Sequence, residues 1–151
     1  MIWLFLIQEG RAQIGFPYCE NFTDNATQSA TVFGGSARIV DGALRLTDAV
    51  NEQNGYIYID IPFSSVYGIK AEFEYFSYGG NGADGLVAFL FDAETPVFNT
   101  GGFGGSLGYA QRGNQAGLSR AYLGIGFDEF GNFGTTLEGK NGGFPGMGGA
   151  L

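Results

Sequence analysis

Three kinds of residue in this chain have types and spacings that can do chemistry. The first are the acids and carboxamide of Gly124-Ile-Gly-Phe-Asp-Glu-Phe-Gly-Asn-Phe133. Asp128, Glu129 and Asn132 offer hard oxygen ligands of the kind that suit calcium. Phe130, between them, offers a flat apolar face. The second is the pair Glu72 and Glu74, since paired carboxylates are how glycosidases cleave sugars. Both fall on one face of an alternating stretch beside Lys70, which fits a solvated sheet face better than a catalytic pair. The third is Asp84, set among small neighbours in Gly82-Ala-Asp-Gly85 at the mouth of an apolar run. There it is placed to meet a ligand, or to bond its own backbone as a turn acid.

Other chemistry is excluded by composition. The chain has 151 residues, no histidine and one cysteine. Without histidine it lacks the commonest general base and the commonest transition-metal ligand. Zinc-hydrolase and Ser-His-Asp readings therefore fail. Cys19 has no partner for an internal disulfide and reads as a buried apolar filler. The net charge of −8 argues against a nucleic-acid binder, which needs a basic stripe. The loop Asn99-Thr-Gly-Gly-Phe-Gly-Gly-Ser-Leu-Gly108 is rich enough in glycine to cradle a phosphate, but it holds no lysine and precedes no helical pattern. It is better suited to bringing backbone N–H groups to a neutral polar ligand.

The elements that must position these groups read as strands. With 28 glycines, 15 phenylalanines and 8 tyrosines, the chain alternates aromatic runs with glycine breaks, the mark of one all-β domain. A first strand is expected within Ile14 to Phe22. Ala37 to Val40 and Ala43 to Thr47 predict a hairpin around Asp41-Gly42. Tyr56 to Ile61 and a long stretch from Tyr67 to Tyr78 alternate with period two. Leu86 to Phe91 is apolar on both faces, which predicts a strand sandwiched in the middle of the fold. Tyr122 to Phe127 leads into the acidic loop.

At the chain's start, Ile2-Trp-Leu-Phe-Leu-Ile7 followed by Gly10 and Ala12 reads as the remnant of an export signal over 1–12, with a domain over 13–151. The alternative is a buried first strand. The apolar run is too short to span a membrane. Asn21 and Asn25 match the short glycosylation sequon. The chain ends inside a glycine-rich run with no closing strand, so the domain is expected to continue past Leu151.

Taken in order, Gly82-Ala-Asp-Gly85, Gly101-Gly-Phe-Gly-Gly-Ser-Leu-Gly108 and Phe127-Asp-Glu-Phe-Gly-Asn132 resemble the L-type, legume-like lectins, in particular bacterial secreted versions. The resemblance runs from about Ala37 to Phe133. It implies a concanavalin A-like antiparallel β-sandwich, or jelly roll, C-terminally incomplete in this chain, that binds glycans or polysaccharide without catalysis. It implies that Asp84, reached through a cis peptide, accepts hydrogen bonds from sugar hydroxyls, and that Gly104 or Gly105 donates a backbone N–H. Asn132 would bind both calcium and sugar. Phe130 would stack on the sugar and give its carbonyl to calcium, and Asp128 would be the metal-bridging acid.

The sequence departs from the family where a glutamate ligand is replaced by Gly126 and a later aspartate by Thr136 or Leu137. No transition metal is expected, and calcium would be loosely held by Asp128, the Phe130 carbonyl, Asn132 and either Glu129 or Glu138. A twelve-residue calcium loop of the EF-hand kind fails, because its twelfth position is Gly139. The expectation is a secreted or cell-surface module, linked to further domains. One rival is an adhesion sandwich without a sugar site. Another is a glucanase on the same fold, for which Phe130 stands where the second acid of the pair belongs.

Overall fold

The computed structural model of the protein describes residues 15–144. The expected export-signal remnant and the end of the glycine-rich run lie outside the described residues. The fold is all-β, and the described residues form six strands in three antiparallel pairs: β1 (Thr31–Gly35) with β4 (Gly55–Ile59), β2 (Arg38–Val40) with β3 (Ala43–Arg45), and β5 (Gly85–Phe91) with β6 (Ala121–Asp128). Three short 3-10 turns, Ser65–Tyr67, Gly104–Ser106 and Leu137–Gly139, interrupt the connections. No helix among the described residues is long and apolar enough to cross a membrane.

The β2–β3 hairpin forms where Asp41-Gly42 predicts it. Both residues take positive φ, +50° and +75°, which is the turn a two-residue hairpin requires. In the β1–β4 pair, Gly34 lies opposite Tyr56. A methyl on Gly34 would stand 2.0 Å from the Tyr56 ring, so the ring lies flat across the glycine.

The core joins two of these pairs through aromatic faces. Tyr56 and Tyr58 are two apart on β4, and Phe89 and Phe91 are two apart on β5, so each pair shares a face of its strand. Phe98, from the loop after β5, sits among them, 4.6 Å from Tyr58, 5.0 Å from Phe91 and 5.1 Å from Tyr56 between ring centroids. The contact face of β4 is thus its tyrosine face. Ile59, on the alternate face, is 42% exposed.

Three strand expectations are corrected. Residues 15–22 form no strand; the Phe16–Pro17 bond is cis, and proline supplies no N–H for a ladder. The alternating stretch after Tyr67 is also not a strand. Residues 68–83 run beside no hydrogen-bonding neighbour among the described residues and are exposed throughout. An alternating pattern prepares a strand, but only a ladder makes one. Phe73 and Tyr75 nevertheless lay their rings against Phe127, at 5.8 and 5.2 Å. Third, β5 is half-buried and paired on one edge alone among the described residues, rather than enclosed between two neighbours.

The β5–β6 register decides what stands at the end of this ribbon. Gly85 pairs with Asp128, Val87 with Gly126 and Phe89 with Gly124. Glycines 124 and 126 therefore share a face with Phe89, and they make room on it. A methyl at Gly124 would stand 2.7 Å from the Tyr109 ring, and one at Gly126 would stand 2.6 Å from the Phe133 ring. The two rings also meet each other edge to face at 6.3 Å. Through them the glycine-rich loop and the acidic loop are both seated on β6.

Candidate functional site

Asp84 and Asp128 come together because the register of β5 and β6 places them at one end of the ribbon. The Ala83–Asp84 peptide is cis, the geometry the resemblance gives this acid. The Asp84 carbonyl accepts the N–H groups of Glu129 (3.1 Å) and Phe130 (3.3 Å), which binds the start of the acidic loop to it. A methyl on Gly85 would meet the Phe127 carbonyl at 2.3 Å, so glycine is required where the two backbones close up.

The acidic loop is shaped by its own first residue. Asp128 Oδ1 accepts the Gly131 N–H at 3.0 Å, and Oδ2 accepts the Phe133 N–H at 2.7 Å. Glu129 is exposed, and Phe130 keeps 41% of its surface open. Asn132 is buried, at 6% exposure, against the glycine-rich loop. A methyl on Gly105 would lie 2.3 Å from both Asn132 Nδ2 and Oδ1, so only glycine allows this approach. Asn132 Oδ1 is fully enclosed and has no hydrogen-bond partner.

The glycine-rich loop is a closed structure. The Gly101 N–H bonds to the Gly108 carbonyl (2.6 Å), and the Gly108 N–H returns to the Gly102 carbonyl (2.7 Å). Ser106, wholly buried, donates to the Gln111 carbonyl at 3.0 Å. Gly104 opens the 3-10 turn with φ +68° and stands beside Glu138 and Arg112.

Sequence reasoning missed Lys140 and Arg112 here, and named Glu138 only as an alternative calcium ligand. Lys140 is buried at 6% exposure, and its ammonium donates to the Asn132 carbonyl (2.8 Å) and to the Gly105 carbonyl (3.0 Å). It thereby joins the two loops. Glu138 pairs with Arg112 at 3.2 Å, and Arg112 in turn lies 4.3 Å above the Phe103 ring. The other Glu138 oxygen, Oε2, is buried without a hydrogen bond, 3.8 Å from the Lys140 ammonium. The available signal was a lone lysine two residues after an acid inside a glycine-rich run, a place where a cation is unusual.

These charges converge on Asp84. Burial pushes its carboxyl above the ordinary aspartate range, and the negative charges of Glu138 and Asp128 push the same way. The positive charges of Arg112 and Lys140 oppose them. The structure thus brings Asp84, Gly104, Gly105, Asp128, Phe130 and Asn132 to one region. Glu72 and Glu74 stay out in solvent, with Glu72 paired to Lys70 at 3.0 Å.

The donors fit calcium poorly. That ion takes about six to eight oxygens. Both Asp128 oxygens already accept backbone N–H groups, and the Asn132 and Gly105 carbonyls are held by an ammonium. A divalent ion added among them would be repelled by Lys140 and Arg112. Over Gly126, where the resemblance puts a glutamate ligand, lies the Phe133 ring. No family model, no curated protein and no solved structure matches the chain.

Proposed function

We propose that the protein is a non-catalytic glycan-binding module of the L-type lectin kind, exported to the cell surface or secreted as part of a longer protein. On this reading the described strands belong to a concanavalin A-like sandwich. The observation that carries it is the convergence of Asp84, behind its cis peptide, with the Gly104–Gly105 turn, Phe130 and Asn132, three segments far apart in the chain.

The division of labour follows from chemistry. A neutral sugar needs hydrogen bonds that converge and a flat apolar surface on which a ring face can rest. Asp84 as a carboxylate accepts from two adjacent hydroxyls. The Asn132 amide N–H₂ donates to a ring substituent, while the Gly104 turn supplies backbone polarity. Phe130, partly exposed beside Asp84, is the stacking face. The reading is binding rather than hydrolysis because Phe130 stands where a glucanase of this fold would carry the second acid of its pair.

A glycan array with the protein and its Asp84→Asn variant tests this. The expected result is binding to at least one glycan class that falls about tenfold or more in the variant, as for a lost hydrogen bond to a charged group. No binding by a folded wild type would overturn the reading in favour of an adhesion scaffold. Release of reducing ends from a polysaccharide would overturn it in favour of a glucanase.

A further inference from the structure

We propose that the Lys140 ammonium is the built-in cation of this site, holding Asn132 and the Gly105 turn in the place where the resembled lectins use a calcium ion. The proposal rests on the glycan-binding reading for its consequence, and on contacts within the protein for its cause. Lys140 is a positioning residue here, acting through Asn132 and Gly105.

An ammonium has three donors and a fixed positive charge. Two donors are used, on the carbonyls of Gly105 and Asn132, which belong to the two loops that must meet. The third has one nearby acceptor of opposite charge, Glu138 Oε2, which is buried, otherwise unpartnered and 3.8 Å away. The two lie within ion-pair distance without a hydrogen bond between them. Burying a lysine to 3% side-chain exposure is costly unless it is paired and hydrogen-bonded. Here the compensation comes from two carbonyls and an acid, and the acid is itself held by Arg112.

The geometry has the same logic as a metal bridge. A calcium ion joins loops by collecting oxygens, and so does this ammonium, from the same asparagine and from the glycine turn packed against it. The difference is that a covalently attached cation cannot dissociate. Binding should therefore be indifferent to chelators. Among the described residues, Asn132 Oδ1 and Glu138 Oε2 are enclosed acceptors without a hydrogen bond, so calcium is the rival the experiment must address directly.

Lys70 and Lys140 are the only lysines of the chain. Protein labelled with ¹⁵N-lysine therefore has two side-chain ammonium signals, and exposed Lys70 exchanges fast with water. We expect one slowly exchanging ammonium signal, absent in Lys140→Met and unmoved by millimolar calcium or by EDTA. Wild-type glycan binding should be the same in calcium and in EDTA. Lys140→Met, checked for its fold by circular dichroism, should bind about tenfold or more weakly. In that variant, removal of the repelling charge should let calcium raise the melting temperature, and no such rise is expected in the wild type.

Calcium shifting the Lys140 signal, or EDTA abolishing wild-type binding, would overturn the proposal. A protected signal with no glycan bound by the wild type would keep the internal cation and discard the lectin reading, so the two failures are told apart. A Lys140→Met protein too unstable to fold leaves the calcium and EDTA arms on wild type to decide.

Discussion

Gly105 and Asn132 are neighbours only because one of them has no side chain. A methyl at Gly105 would sit 2.3 Å from the Asn132 amide, and both belong to loops that Lys140 ties together. The substitution Gly105→Ala therefore forces either Asn132 or the turn to move. We expect it to lower the denaturation midpoint by an amount equivalent to about 1–3 kcal/mol, the usual cost of overpacking, and to weaken glycan binding with it. A variant with normal stability and normal binding would show that the approach is not constrained. Gly104→Ala differs: its methyl would meet the end of the Glu138 side chain at 3.2 Å, but the φ of +68° still disfavours any side chain. At this scale the sequence announced Asp84, Phe130 and Asn132 through their types and neighbours. It did not announce Lys140, and it named Glu138 only as an alternative calcium ligand, because nothing in a glycine-rich run marks which residue will be drawn inward.

Among the elements, β1 shows how a polar group fastens a strand to the preceding loop. Thr31, buried at 8% exposure, donates its hydroxyl to Glu20, which also accepts from the Tyr18 hydroxyl and from the Gln28 N–H at 2.8 Å. Burial pushes the Glu20 carboxyl up, but the bonds from Thr31, Gln28 and Tyr18 outweigh it and hold it below the ordinary glutamate range. A carboxylate lowered in this way adds stability that is complete above its unfolded pKa and is lost as pH falls through its folded pKa. Urea midpoints of wild type and Glu20→Gln should therefore differ at neutral pH and converge below about pH 4. A constant gap across that range would rule out the linkage. The strands β5 and β6 were each legible for the opposite reason: apolar runs and glycine punctuation are local, whereas their pairing is not. What the pattern could not state was the register, which alone decides that Asp84 and Asp128 share an end.

For the whole molecule, the joint between ribbons is Phe98, whose ring touches Tyr56, Tyr58, Phe89 and Phe91. Phe98→Ala should cost roughly 2–3 kcal/mol in thermal or urea unfolding, somewhat under the range for a fully buried phenylalanine. A negligible loss would mean that the β1–β4 and β5–β6 ribbons are held together elsewhere. The opposite face of β6 is open: Leu123 is 46% and Ile125 54% exposed, with Phe127 covered by Phe73 and Tyr75. The stretch from 69 to 78 has the alternation of a strand and lies over that face without a ladder. By itself, the sequence determined the all-β class, the Asp41-Gly42 hairpin and the strands on either side of the aromatic core. Those depend on periodicity, turn chemistry and residue type, which are properties of short stretches. Only the tertiary structure decided that the isolated alternating stretch would stay unpaired, that glycines 124 and 126 would receive the Tyr109 and Phe133 rings, and that Lys140 would bridge two loops. Each of those is a contact between residues distant in the chain, and a buried ammonium is stable only where folding brings its oxygens to it.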